Sequence, residues 1–210
     1  MIISAAAILA CNPRHPTADT TASKLTWACQ TFGIEDPRSV AAMLANYTVE
    51  SGLLPNRENL LYTTSARLAK VWPSKFGPRG SYDPREYVGQ PERLANLVYA
   101  GKLGNGDAAS GDGWAFRGGG YPQLTGRDTY TAAGRLIGYD LAQQPALIEQ
   151  IGVSALAGCA YWTRMSSADR LAQAGDIAGT RRAVNGPAML GLSDMLSIYR
   201  RVRPLLQSAT

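Results

Sequence analysis

At 210 residues with 45% hydrophobic content, the chain can build one sizeable core, or at most two small lobes, and is too apolar to be disordered. Its net charge of +5 suits a polyanionic partner. No RNA- or DNA-reading motif accompanies that charge, and no apolar run approaches the length of a membrane span, so nucleic-acid binding and stable membrane insertion are set aside.

In chain order, MIISAAAILAC comes first. No Lys or Arg precedes the apolar run, which weighs against a secretory signal and for a short helix from Ser4, ended by Asn12-Pro13. His15 follows between two prolines and reads as an exposed turn residue. As the only histidine, it is also the one through which any Ser-His-Asp or Cys-His mechanism would have to run. Further helices are expected near 18–32, 37–50, 91–102, 127–137, 149–164, 168–184 and 192–206, giving a mainly α chain. Asp36-Pro37 supplies an N-cap and a proline for the third of these. Residues 51–90 read as irregular, and 103–126, with eight glycines, as loop with one short β-hairpin. Cys11, Cys29 and Cys159 read as buried free thiols, with a Cys11–Cys29 bridge as the other possibility. No CxxC or Cys/His cluster indicates a metal.

Glu50 is the residue that does not fit. Val40, Met43, Leu44 and Tyr47 form an apolar stripe, and Glu50, seven residues after Met43 and three after Tyr47, falls on it. It also occupies the helix's last turn, where the macrodipole disfavours an anion. Poor solvation and the dipole would both raise the pKa of such a carboxyl, as a proton donor requires. Glu58, among Asn56, Arg57 and Asn59, should stay ionised. One neutral acid and one carboxylate in different environments is the pattern of glycosidic bond cleavage. The competing explanation is a Glu50 salt-bridged to a core arginine.

The glycine-rich stretch is not a phosphate loop, because GKLGNG runs into Asp107-Ala108 where Lys-Ser/Thr is needed. Trp114, Phe116 and Tyr121, interleaved with the glycines, suit the apolar faces of sugar rings, or else a small hydrophobic patch beneath the loop.

These residues also carry a resemblance. VESGLLPNRENLLY, RLANLVYAGKLGNGDAASGDGWAFRGGGYPQLTGRDTY and AVNGPAMLGLSD, collinear from about residue 25 to 205, resemble three signature blocks of glycoside hydrolase family 19-like phage endolysins. The resemblance implies a two-lobed, lysozyme-like α fold with an active-site cleft. It further implies a single catalytic domain over 1–210, with 1–22 as an N-terminal helical extension; the lack of an internal repeat, low-complexity tract or long linker argues against a separate wall-binding module. It implies hydrolysis of the β-1,4 bond between N-acetylmuramic acid and N-acetylglucosamine in peptidoglycan. Glu50 matches the general acid, Glu58 the second catalytic carboxylate, and Thr125 the hydroxyl that holds water or substrate. Gln123, Tyr130 and Asn185 match positions lining the sugar cleft; Ser51, Tyr62, Trp114 and Tyr121, within the same blocks, join them as substrate contacts. No cofactor is implied. The implied partner is a peptidoglycan strand met by a monomer, made in the bacterial cytoplasm and reaching the periplasmic wall through a separate pore. Val49 and Gly119 stand where the family has a histidine and an arginine, which implies looser positioning of the acids. A lytic transglycosylase, a chitinase and a non-catalytic wall-binding protein are the alternatives.

Overall fold

A computed structural model describes residues 2–206; the outermost residues of the expected 1–210 domain, 1 and 207–210, lie outside it. Twelve α-helices occur among the described residues: α1 Ala5–Cys11, α2 Ala18–Phe32, α3 Pro37–Ser51, α4 Ser65–Val71, α5 Pro73–Phe76, α6 Pro91–Val98, α7 Asp112–Ala115, α8 Arg127–Ile137, α9 Ile151–Ala160, α10 Ala168–Gln173, α11 Ile177–Asn185 and α12 Leu192–Val202. They gather into two compact units. The first holds the chain up to Asn56, Gly119–Gln123 and the chain from Thr131; the second holds Arg57–Gly118 and Leu124–Tyr130.

The first unit is built around α3. Asp36 caps it by accepting from the Arg38 N–H at 2.7 Å, Pro37 opens it, and Gly52 (φ 68°) closes it in the left-handed region that glycine takes without strain. Every residue from Ser39 to Tyr47 is buried, so α3 runs through the core instead of over it. The small residues of α9 let it pack closely: a Cβ on Gly158 would stand 3.1 Å from the Tyr47 ring, whose hydroxyl donates to the Gly158 carbonyl at 2.8 Å. Several polar groups inside this core are paired, although the buried Thr21 and Tyr121 hydroxyls find no hydrogen-bond partner among the described residues. Trp162 Nε1 donates to Ser39 Oγ, which donates to Asp169 Oδ1. Helix α1 also belongs to the core, through Ala7, Ile8 and Cys11.

His15 corrects its expectation. It is buried, and its Nδ1 accepts from the Thr17 N–H while its Nε2 donates to the Leu53 carbonyl at 2.9 Å. Two prolines bend the chain inward here, and the imidazole ties the α1–α2 turn to the end of α3. All three cysteines are buried and unbridged, with the Cys29 and Cys159 sulfurs 3.9 Å apart. The expected helix over 168–184 is two helices, α10 and α11, separated at Gly175 (φ 86°).

The second unit packs Leu60, Leu68, Phe76, Tyr87, Leu94 and Val98 together. The stretch read as irregular contains α4, capped by Thr64, and α5, which Pro73 starts afresh after Trp72. Both are only one or two turns long, too short for a periodic signal. The 103–126 stretch is turns and the single turn of α7. No strand forms among the described residues, only isolated bridge residues at 57, 119 and 124. The glycines here serve close approach and not a ladder: a Cβ on Gly113 would meet the Ala95 carbonyl at 2.3 Å.

Candidate active site

Glu50 stands in the last turn of α3, within the first unit. Its side chain is 19% exposed and it is not the partnerless acid its position suggested. Arg181 of α11, only 3% exposed, donates from Nη1 to Glu50 Oε1 at 2.6 Å. The competing explanation, a pairing with a core arginine, is therefore what the chain adopts. The guanidinium is held from other sides too: Nε donates to the Leu190 carbonyl at 2.7 Å, and Nη1 lies 3.4 Å from Asn46 Oδ1, one turn before Glu50. Leu190 is held in its turn, its N–H donating to Asn185 Oδ1 at 2.7 Å. Asn185 thus fastens the loop that fastens Arg181. Among the described residues no hydrogen bond reaches Glu50 Oε2. Burial, and then the charge of Glu50, push the Tyr161 hydroxyl above its ordinary value.

Ser51 donates to the Tyr47 and Tyr121 carbonyls, joining the end of α3 to the segment at 119–123. Tyr121 corrects its expectation, because its ring is wholly buried in the α3 core and its N–H donates to Ser154 Oγ at 2.8 Å. It is packing, not a sugar platform. Gln123 adopts φ 54°, and its amide nitrogen donates to Gly120 O at 3.0 Å and to Asn56 at 3.3 Å. Leu53 (φ 57°), just after Glu50, is a second non-glycine residue in the left-handed region, a strain that surrounding packing must support.

Glu58 belongs to the second unit. Tyr99, at the end of α6, donates its hydroxyl to Glu58 Oε2 at 2.7 Å. Burial first, and the Glu58 charge second, raise the Tyr99 and Tyr62 hydroxyls well clear of neutral pH, so both remain donors. The polar neighbours in sequence are not what holds this acid; the phenol of Tyr99 is. Tyr62 packs edge-on against Trp72, with centroids 5.0 Å apart.

Arg117 organises the rest of this unit's candidates. Its Nε donates to the Glu58 carbonyl at 2.7 Å, its guanidinium lies 3.4 Å from the centre of the Trp114 ring, and its own carbonyl accepts from the Tyr130 hydroxyl at 2.9 Å. Trp114 is partly exposed, but Arg117 occupies one face of the indole. Tyr130 has no exposed surface and packs on Phe116; it positions Arg117 and corrects the expectation of a cleft-lining ring. Thr125 is partly exposed, next to Gly126, whose N–H donates to the Phe116 carbonyl at 2.8 Å. Arg181, Tyr99 and Arg117 are the residues sequence reasoning passed over. Their only sequence signal is that Tyr99 and Arg117 fall inside the family-like blocks. Among the described residues no three His, Cys, Asp or Glu side chains converge to hold a metal.

No family model matches the chain. A curated relative does: a glycosyl hydrolase family 19 domain-containing protein of Haemophilus influenzae, 32% identical over 164 residues, which are 76% of this chain and 76% of the relative. The chain belongs to glycosyl hydrolase family 19. The fold of this family 19 chain is also that of solved chitinases. It matches a bacterial family 19 chitinase with a TM-score of 0.62 at 19% identity, over 100% of this chain and 98% of the other. It matches chitinase C from Streptomyces griseus HUT6037 with a TM-score of 0.59 at 21% identity, over 99% and 78%. These likenesses show that the family 19 chain has the mainly helical fold of these chitinases.

Proposed function

We propose that this family 19 chain hydrolyses the β-1,4 bond between N-acetylmuramic acid and N-acetylglucosamine in peptidoglycan. Protonated Glu50 gives its proton to the leaving glycosidic oxygen. Glu58 takes a proton from the attacking water, and Thr125 orders that water. The observation that carries this reading is that each acid has its own dedicated holder, Arg181 for Glu50 and Tyr99 for Glu58. Two such separately held carboxylates are what general acid/base hydrolysis of a glycoside requires. For Glu50 to take up the proton it donates, Arg181 must yield, and the Leu190 carbonyl and Asn46 offer the guanidinium other acceptors. No cofactor takes part. The +5 charge supports an anionic polymer over a neutral one. The reading takes the chain to be a monomeric lytic enzyme, made in the bacterial cytoplasm and released to the wall through a separate pore.

Chitin is the second reading, favoured by the solved chitinases that share the fold. Assays of Glu58→Ala on purified Gram-negative peptidoglycan and on chitin test both. Loss of at least about a hundredfold in turnover on peptidoglycan is expected. A harmless Glu58→Ala would point to a one-carboxylate transglycosylase, and activity confined to chitin would select the second reading.

A further inference from the structure

The second unit contains a cavity of about 530 Å³ that the proposed chemistry does not use. It is lined by Tyr82, Tyr87, Gln90, Arg93 and Asn96, and neither Glu58 nor Tyr99 is part of its wall. The volume is within the range of about 300–1,000 Å³ typical of small-ligand sites. We propose that it binds an N-acetylated amino-sugar unit of the polysaccharide, as a second point of attachment for the polymer.

Ring chemistry comes first. Tyr82 is 40% exposed, so part of its ring is open to a ligand, with the Lys75 ammonium 5.5 Å from its centre. It meets Tyr87 edge-on, with centroids 6.1 Å apart and planes at 88°, and Phe76 backs Tyr87 at 5.1 Å. This buttress holds the exposed ring in place before any ligand arrives, so little ordering remains to oppose binding. The C–H face of a pyranose is a matching surface for such a ring.

Polar groups at the same cavity discriminate among ligands. Asn96 accepts the Trp114 N–H at 2.7 Å through Oδ1, and among the described residues nothing accepts from its Nδ2. That amide and the exposed Gln90 amide offer uncharged N–H donors, suited to the carbonyl of an acetamido group. The cavity's own arginine offers little to an anion. Arg93 is already paired with Glu86 at 2.7 Å and lies 4.6 Å over the Tyr87 ring, and Glu92 adds a negative charge to the wall. A polymer of repeating amino sugars held at this site is retained on the unit that carries Glu58, which raises its effective concentration there.

This inference rests on the amino-sugar polysaccharide reading of the substrate, and its test reads retention separately from turnover. Sedimentation with insoluble peptidoglycan sacculi is measured in a Glu50→Gln background, so that nothing is consumed. Adding Tyr82→Ala should raise the apparent Kd about tenfold and Gln90→Ala about threefold, and Tyr82→Trp should restore retention. With Glu50 intact, turnover of soluble peptidoglycan fragments should stay within about twofold in these variants. Retention unchanged by Tyr82→Ala, or soluble turnover falling in parallel with retention, would overturn the site. If the chain releases no products from either substrate while the tenfold difference in retention persists, the hydrolytic roles of Glu50 and Glu58 fall and this site stands.

Discussion

Arg181 reaches from α11 to Glu50 at the end of α3, joining two segments 131 residues apart by a 2.6 Å charge-assisted bond. The arginine is almost wholly buried, so this contact belongs to the core as much as to the surface where Glu50 emerges.

Removing the cation should therefore cost stability as well as turnover. Arg181→Met leaves Glu50 without its partner at a largely desolvated position, which is expected to cost about 3 kcal/mol. Adding Glu50→Gln to Arg181→Met should recover part of that loss, because the stranded charge is then gone. Denaturant titration of the two single variants and the double variant measures the coupling. Equal and additive losses would mean that the pair contributes nothing as a pair.

Asp112 and Arg127 make the second unit's best-buried ion pair, and the guanidinium holds the Asp112 carboxyl below the usual carboxylate range. A depressed folded pKa stabilises above the unfolded value, about 3.9, and the contribution fades as pH falls through the folded value. Asp112→Asn should thus cost about 2 kcal/mol at pH 7 and progressively less as pH falls below about 3.9. Thermal or urea unfolding across that window decides it; a penalty that stays constant with pH contradicts the assignment.

The thiols give a check on the core of the first unit. Burial pushes Cys11 up to about 11, and the contact with Cys29, followed by burial, raises Cys159. At pH 8 native alkylation should run at least about a hundredfold slower than in denaturant, where all three cysteines label. Stoichiometric labelling of the native chain would show that α1, α2 and α9 pack less tightly than described.

The apolar stripe that singled out Glu50 was legible because helical periodicity is a local property, and the N-cap of α3 at Asp36 was legible for the same reason. Its partner was not. Arg181 is one of many arginines, and only the tertiary fold decides which of them is buried. The same limit explains His15, which looks like a turn residue until the distant Leu53 carbonyl arrives beside it. Tyr121 and Tyr130 failed for a different reason. For Tyr121, an aromatic among glycines suits a sugar platform and a core plug equally, and here the backbone of 119–123 is pulled toward Ser154 instead of pairing as a strand; Tyr130 was placed by the resemblance alone, which does not say that the ring packs on Phe116. Short helices α4 and α5 lay below the length at which periodicity speaks.

The most direct test of the central claim is mass spectrometry of the products released from purified Gram-negative peptidoglycan by the chain and by Glu50→Gln. Muropeptides with N-acetylmuramic acid at the reducing end, abolished in Glu50→Gln, are the expected result. Anhydro-muropeptides, or the same products from Glu50→Gln, would contradict it.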